Sequence, residues 1–146
     1  MTGVFDHVDY RPLNAITRKE VYPLPLISET LDSLGGAKYF SSMDLASGYF
    51  QVALNEASIE KSAFILSRGH GRYGFLRMGM GLMNAPSTFQ RLMVSILAGL
   101  QFEACLIYLD DLIVFSKTFD EHLERLILFL QKLKNNLACS RANFHF

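Results

Sequence analysis

The chain has 146 residues, half of them hydrophobic, which suits a single domain with a sizeable core. Fourteen Lys and Arg balance fourteen Asp and Glu for a formal net charge of zero. That balance excludes a polycation holding nucleic acid by bulk charge alone, but leaves room for a local basic groove.

In chain order, residues 9–26 are polar and interrupted by Pro12, Pro23 and Pro25, which predicts an extended or looped segment. Ile27, Leu31 and Leu34 recur at helical spacing between Ser28-Glu29 and Gly35-Gly36, a plausible start and stop. Residues 37–43 suit a strand running into Asp44, and YFQVAL after Gly48 alternates like a second strand. Residues 56–61 suggest a short turn or helix. Residues 62–66 and 73–78 read as two strands joined by the turn-rich SRGHGR. Asn84 can cap a helix with Pro86 in its first turn and Phe89, Leu92, Met93, Ile96 and Leu97 on one face, ending near Gly99.

ACLIYL and LIVFS then flank Asp110-Asp111 as a β-hairpin, and residues 119–134 form an amphipathic helix carrying Leu123, Leu126, Ile127, Leu130 and Leu133. The tail, Leu137 to Phe146, suits one more strand. The order is mixed α+β, an antiparallel hairpin with helices packed on the sheet. A charged fraction of 19% argues against disorder. No apolar run of about 18 residues predicts a membrane span. The start of the chain, with Asp6, His7 and Asp9, lacks the apolar core of a signal peptide. Cys105 and Cys139 lack metal-ligand spacing and read as reduced thiols of an intracellular protein; the four scattered histidines argue against zinc.

The sharpest chemical feature is Tyr108-Leu109-Asp110-Asp111. Two adjacent carboxylates between apolar strands can simply face solvent at a hairpin tip, since Asp is a common turn residue. They can also cradle a metal, because Mg²⁺ prefers carboxylate and phosphate oxygens. Asp44 is the natural third member: it too ends an apolar strand, and a sheet that sets 37–43 beside 104–109 brings it next to the pair. Three carboxylates from two strand ends could hold two cations of the kind that stabilise both oxygens of a phosphoryl transfer.

The stretches VDYRPLN (8–14), YPLPLISETLDSLGGAKYFSSMDLASGY (22–49), EKSAF (60–64), GLMNAPSTFQRLM (81–93) and YLDDLIVFSKTFDEHLE (108–124) together cover nearly the whole chain from Val8 on. In their order and separations they resemble the reverse transcriptase domain of gypsy-like LTR retrotransposons.

The resemblance implies a palm-type polymerase fold: an antiparallel sheet with a catalytic β-hairpin packed on helices, and partial fingers. It implies RNA-directed DNA polymerase activity, with attack of a primer 3′-hydroxyl on a dNTP over an RNA or DNA template. Asp44, Asp110 and Asp111 match the catalytic carboxylates and would bind two Mg²⁺, for which Mn²⁺ can substitute, with the Leu45 backbone as a further ligand. Tyr49 matches the aromatic residue that excludes a ribose 2′-hydroxyl; read alone, it is a core aromatic of a strand. Ala46, Ser47, Gly48, Met80 and Gly81 would face the dNTP. Arg11, Asn84, Pro86, Gln90 and Tyr108 would face template and primer. Arg68, Arg72 and Arg77 are the candidate local basic patch, with solvated loop charges as the plain alternative.

The chain departs from the family pattern at Phe5, where arginine is usual, and at Gly79, Met80 and Met83. It departs again at Asn143-Phe144, where a Lys-Cys pair is usual. With the thumb, connection and RNase H parts not in view, the expectation is a fingers–palm segment, residues 1–146, of a larger Pol polyprotein. Such a polyprotein works in a cytoplasmic particle or the nucleus without a membrane partner. The rival expectation is a truncated, non-catalytic retrotransposon remnant.

Overall fold

The computed structural model describes residues 8–23, 27–45, 48–65, 71–108, 111–137 and 143–145. For Ile27, Glu29, Tyr108 and residues 143–145 the description is of the backbone. The elements are α1 (Arg11–Ile16), α2 (Ile27–Ser33), β1 (Tyr39–Asp44), a 3₁₀ turn (Gly48–Gln51), α3 (Glu56–Lys61), β2 (Phe64–Ile65), β3 (Arg72–Tyr73), α4 (Ala85–Ile96), β4 (Cys105–Tyr108), β5 (Asp111–Ser116), α5 (Phe119–Asn136) and β6 (Asn143–His145). The expected α+β architecture is present. β1, β4, β5 and β6 form an antiparallel sheet in the order β4-β5-β1-β6, and β2 pairs with β3 in a separate ribbon.

Alternation along β1 decides which way the sheet faces. Ser41 and Met43 are buried while Phe40, Ser42 and Asp44 are exposed. Met43 pairs with Leu112 and Ser41 with Val114, so these positions share the face covered by helices. α4 packs on β4, and α5 on β5 and β1. The core between the layers contains Met43, Phe89, Met93, Ile107, Leu112, Val114, Phe129 and Leu133. Among the described residues, no helix is long and apolar enough to cross a membrane.

Several sequence expectations need correction. The segment 9–26 is not loop throughout: α1 begins at Arg11 with Pro12 in its first turn, where a missing N–H costs nothing. The strand expected over YFQVAL is instead a 3₁₀ turn. Gly48 N–H donates to the Leu45 carbonyl at 3.0 Å and Val52 N–H to the Tyr49 carbonyl at 3.1 Å. Gly48 is pressed against α4, where an added Cβ would lie 2.9 Å from Phe89 Cζ. The chain extends again only at Ala53, which bridges Arg77. Both strands of the ribbon are shorter than expected, with Phe64 opposite Tyr73 and Ile65 opposite Arg72.

α5 buries His122, Leu126, Phe129 and Leu133. Leu123, Ile127 and Leu130, expected on the buried face, are 45%, 55% and 38% exposed. The helix is rotated so that Phe129 fills the core and His122 meets the sheet. The short helix expected as one option over 56–61 and the glycine stop after the helix at 27–34 are both present. Asn55 caps α3 by accepting from Ser58 N–H at 2.8 Å, Thr118 caps α5, and Gly36 takes the left-handed conformation after α2 at φ +77°.

Phe89 is fully buried, and its ring meets both Gly48 and Tyr49. Phe89→Ala is expected to cost about 3–5 kcal/mol, read from urea unfolding; a loss below about 1 kcal/mol would contradict this packing.

Candidate active site

Register builds the site. In the sheet, Asp44 of β1 lies directly opposite Asp111 of β5. Asp111 in turn faces Tyr108 of β4, and Asp44 faces Asn143 of β6. Tyr108, Asp111, Asp44 and Asn143 therefore form one row across all four strands. Residues directly opposite in an antiparallel pair put their Cβ atoms about 4.5–5.5 Å apart on the same face. Asp44 and Asp111 are both exposed, on the face away from α4 and α5.

Like charges directly opposite one another destabilise a sheet. Among the described residues, neither carboxylate has an ion-pair partner. The described residues contain no cluster of three His, Cys, Asp or Glu side chains. Asp110, expected as the third carboxylate, lies outside the described residues, as do Ala46, Ser47 and Arg68. The donor chemistry fits a hard divalent cation: two carboxylates opposite one another on an open face.

Immediately after Asp44, Leu45 is buried and its carbonyl accepts from Gly48. The following turn carries Tyr49, half-buried, with its ring edge-on to Phe89 at 5.5 Å between centroids. Tyr49 is thus held against α4 by the core, within a few residues of Asp44. The ring is anchored on the core, in a turn rather than in the strand expected.

A second group of expected site residues gathers around the start of α4. Met80 is exposed, and Gly81 adopts φ +89°, a conformation that favours glycine. This loop is tied to the segment before α2 by two asparagines. Asn14 Nδ2 donates to the Gly81 carbonyl at 2.8 Å, and Asn14 Oδ1 accepts from Met83 N–H at 2.9 Å. Reciprocally, Asn84 Nδ2 donates to the Arg18 carbonyl at 3.0 Å, and Asn84 Oδ1 accepts from Glu20 N–H at 3.0 Å. Asn84 occupies the position before α4, yet its side chain makes no capping bond there, because both ends of its amide are used in this clamp. An ion pair between Arg91 and Glu20 lies alongside. Pro86 sits in the first turn of α4.

Gln90 lies apart from both groups. It is fully buried, and its Nε2 donates to the Ile107 carbonyl at 3.2 Å. The side chain braces α4 against β4 and presents nothing to solvent. Arg11 is exposed and forked onto Asp9, with Nη2 to Oδ2 at 2.7 Å, which brings the Asp9 carboxyl down to about 2. Of the expected basic patch, Arg72 is exposed and Arg77 donates to the Gln51 carbonyl at 2.9 Å. Burial pushes the Cys105 thiol up to about 12, so it stays protonated and unreactive near neutrality.

Two features escaped the sequence reading. Asn14 was visible only as part of a motif, since nothing local reveals that its amide reaches residue 81. The other is a buried polar group on the helix side of the sheet. His122 Nε2 lies 2.8 Å from Ser41 Oγ and His122 Nδ1 lies 3.1 Å from Ser116 Oγ. A histidine interrupting an apolar helix face was the available signal.

The described residues thus form an antiparallel sheet backed by two helices, with two acidic residues in register at the strand ends. A model of the family described as reverse transcriptase (RNA-dependent DNA polymerase) matches residues 4–142, and the chain belongs to that family. It is 48% identical over 126 residues, 86% of its length, to the Pol polyprotein of transposon 297 from Drosophila melanogaster. It is 40% identical over 140 residues, 95% of its length, to that of transposon gypsy from the same organism. The chain spans 12% and 13% of those two polyproteins.

Among solved structures, the foamy viral protease-reverse transcriptase in complex with double-stranded DNA superimposes with a TM-score of 0.75 at 24% identity. That match covers 88% of this chain and 22% of the other. The same viral protein with an RNA/DNA hybrid gives 0.75 at 23% identity, covering 92% and 18%. These likenesses confirm the palm-type fold.

Asn84→Ala removes both clamp bonds to residues 18 and 20. Unfolding in urea should show a loss of about 1–3 kcal/mol, with faster hydrogen exchange at the Glu20 amide. Unchanged exchange there would refute the clamp.

Proposed function

We propose that this chain is the fingers–palm segment of an RNA-directed DNA polymerase, the part that holds the metal ions and the incoming dNTP. The observation that carries this reading is the cross-strand placement of Asp44 opposite Asp111, an uncompensated like-charge pair at the end of a sheet. Such a pair is unfavourable by itself and favourable around a divalent cation. Asp110, adjacent to Asp111 in the chain, would complete the set. Mg²⁺ bound there supplies neutralisation of the triphosphate and a lowered pKa for the primer hydroxyl.

The residues of the chain do the rest by position. Asp44 and Asp111, on rigid strands, fix where charge is held. The turn at Leu45–Tyr49 places backbone and one aromatic ring beside that charge. In this reading Tyr49, braced by Phe89, limits space at the sugar and so favours dNTP over rNTP. The loop at Met80–Gly81 faces the nucleotide, and Asn84 and Gln90 act as braces for the template side rather than as contacts. Template–primer would be gripped through phosphates by exposed arginines such as Arg72. The net charge of zero supplies little nonspecific attraction, so the remaining domains of a Pol polyprotein would provide most of the hold on nucleic acid.

Metal-dependent extension of a DNA primer on an RNA template tests the assignment. Asp111→Asn and Asp110→Asn should each lower incorporation by roughly a hundredfold or more, the scale of several kcal/mol of transition-state stabilisation. Equal incorporation by Asp111→Asn and the parent chain would overturn it. Tyr49→Ala should raise rNTP use relative to dNTP; unchanged discrimination would remove Tyr49 from that role.

A further inference from the structure

The buried polar group behind the sheet has no place in the chemistry described so far. His122 is 5% exposed, Ser41 3% and Ser116 1%. They lie on three different elements: His122 on α5, Ser41 on β1 and Ser116 at the end of β5. These two strands carry the acidic pair. Ser41 is three positions before Asp44, and Ser116 five positions after Asp111. The imidazole therefore bridges, from the helix side, the same pair of strands whose register sets the two carboxylates opposite one another on the open side.

The hydrogen bonds define the state of the ring. Ser116 Oγ donates its one proton to the Thr118 carbonyl at 2.9 Å, so toward His122 it can only accept. Nδ1, 3.1 Å away, must then carry a proton. In a neutral ring Nε2 is left as an acceptor, and Ser41 Oγ donates to it at 2.8 Å.

A second proton would put N–H against a hydroxyl already turned toward it as a donor, and would bury a charge. The charged group acting on the ring is Arg125, one turn further along α5. Glu121, which could have compensated, is taken by Arg125 at 2.7 Å and by the Lys117 amide at 3.0 Å. β1 offers no charge between Tyr39 and Met43, nor does β5 between Leu112 and Ser116. The Tyr39 ring stands beside the imidazole at 6.3 Å. Burial and then Arg125 hold the imidazole below its usual range.

We infer that His122 is a positioning residue: a neutral, Nδ1-protonated imidazole that locks β1 to β5 from behind and thereby fixes the separation of the Asp44 and Asp111 carboxylates. The inference rests on those carboxylates being the metal-holding pair. Partners that orient metal ligands from behind are worth roughly tenfold or more in metal affinity.

The pH dependence follows from the neutral state. A group whose folded pKa lies below its unfolded value of about 6.5 contributes stability that is full above that value. The contribution fades as pH falls toward the folded pKa. The lock should therefore hold at neutral pH and loosen only in acid, below the usual imidazole value.

The test uses the chain with Mn²⁺ alone as probe, and ¹⁵N NMR of the histidine rings. At pH 7 the His122 ring should show protonated Nδ1 and unprotonated Nε2; an imidazolium or the opposite tautomer would overturn the inference. His122→Phe should weaken Mn²⁺ binding roughly tenfold while thermal unfolding shows a folded chain. Should that variant not fold, Ser41→Ala, which leaves the ring in place, should give a loss in the same direction.

Because the ring's folded pKa lies below its usual value, wild-type affinity should fall more steeply than that of His122→Asn only once the pH drops to where the ring itself gains a proton in the NMR titration, carboxylate protonation being common to both. Parallel profiles across the pH at which the ring is seen to protonate, or unchanged Mn²⁺ affinity in both His122→Phe and Ser41→Ala, would overturn it. Asp111→Asn separates the two readings. If it leaves Mn²⁺ binding intact, the metal assignment of the acidic pair fails and the positioning role fails with it. The ring tautomer would then describe only a structural tie.

Discussion

Everything proposed for this domain depends on the register between β1 and β5. Side chains on a strand alternate between faces, so a slip of one residue would move Asp44 to the helix side and Met43 to the open side. Burial forbids that slip: Met43, Leu112 and Val114 are fully enclosed against α4 and α5, and exposing them would cost several kcal/mol. The apolar core thus enforces a like-charge pairing that no sheet would choose for its own stability. Two carboxylates are kept opposite each other because the residues next to them cannot be anywhere else.

The helices contribute in different ways to the same end. α4 supplies Phe89, which supports the Gly48–Tyr49 turn from below, and Gln90, which ties the helix to β4. α5 supplies Phe129 to the core and His122 to the strand pair. Polar groups buried in this way cost stability unless fully bonded. Among the described residues, no buried side-chain polar atom lacks a partner. Full satisfaction of this kind makes a layer rigid, and rigidity is what a site built from two exposed carboxylates needs.

The parts of this arrangement legible in the sequence were those governed by local chemistry. Apolar strands ending in Asp44 and flanking Asp110-Asp111, Pro86 in the first turn of a helix, and glycines after helices all point the right way without tertiary information. The 48–54 segment misled because its alternation mimics a strand, whereas Phe89, forty positions away, decides its shape. α1 was hidden by Pro12, whose breaking effect vanishes in a first turn. On α5 the periodic leucines fit more than one face, and the choice fell to Phe129 and His122, neither of which stands out in a count of apolar residues. The double use of Asn84 was beyond reach for a related reason: a residue ideal for a local cap is taken by a distant backbone.

That pair of asparagines has a further consequence. The segment carrying Arg11 and the loop at Gly81 are joined through amide groups that neither titrate nor attract counterions, with the Arg91–Glu20 ion pair as a surface supplement subject to salt screening. An electrostatic attachment between these two regions would loosen or tighten whenever a polyanion passed between them. A neutral one is indifferent to any charge brought near it. The junction can therefore keep its geometry while the salt and charge around it change.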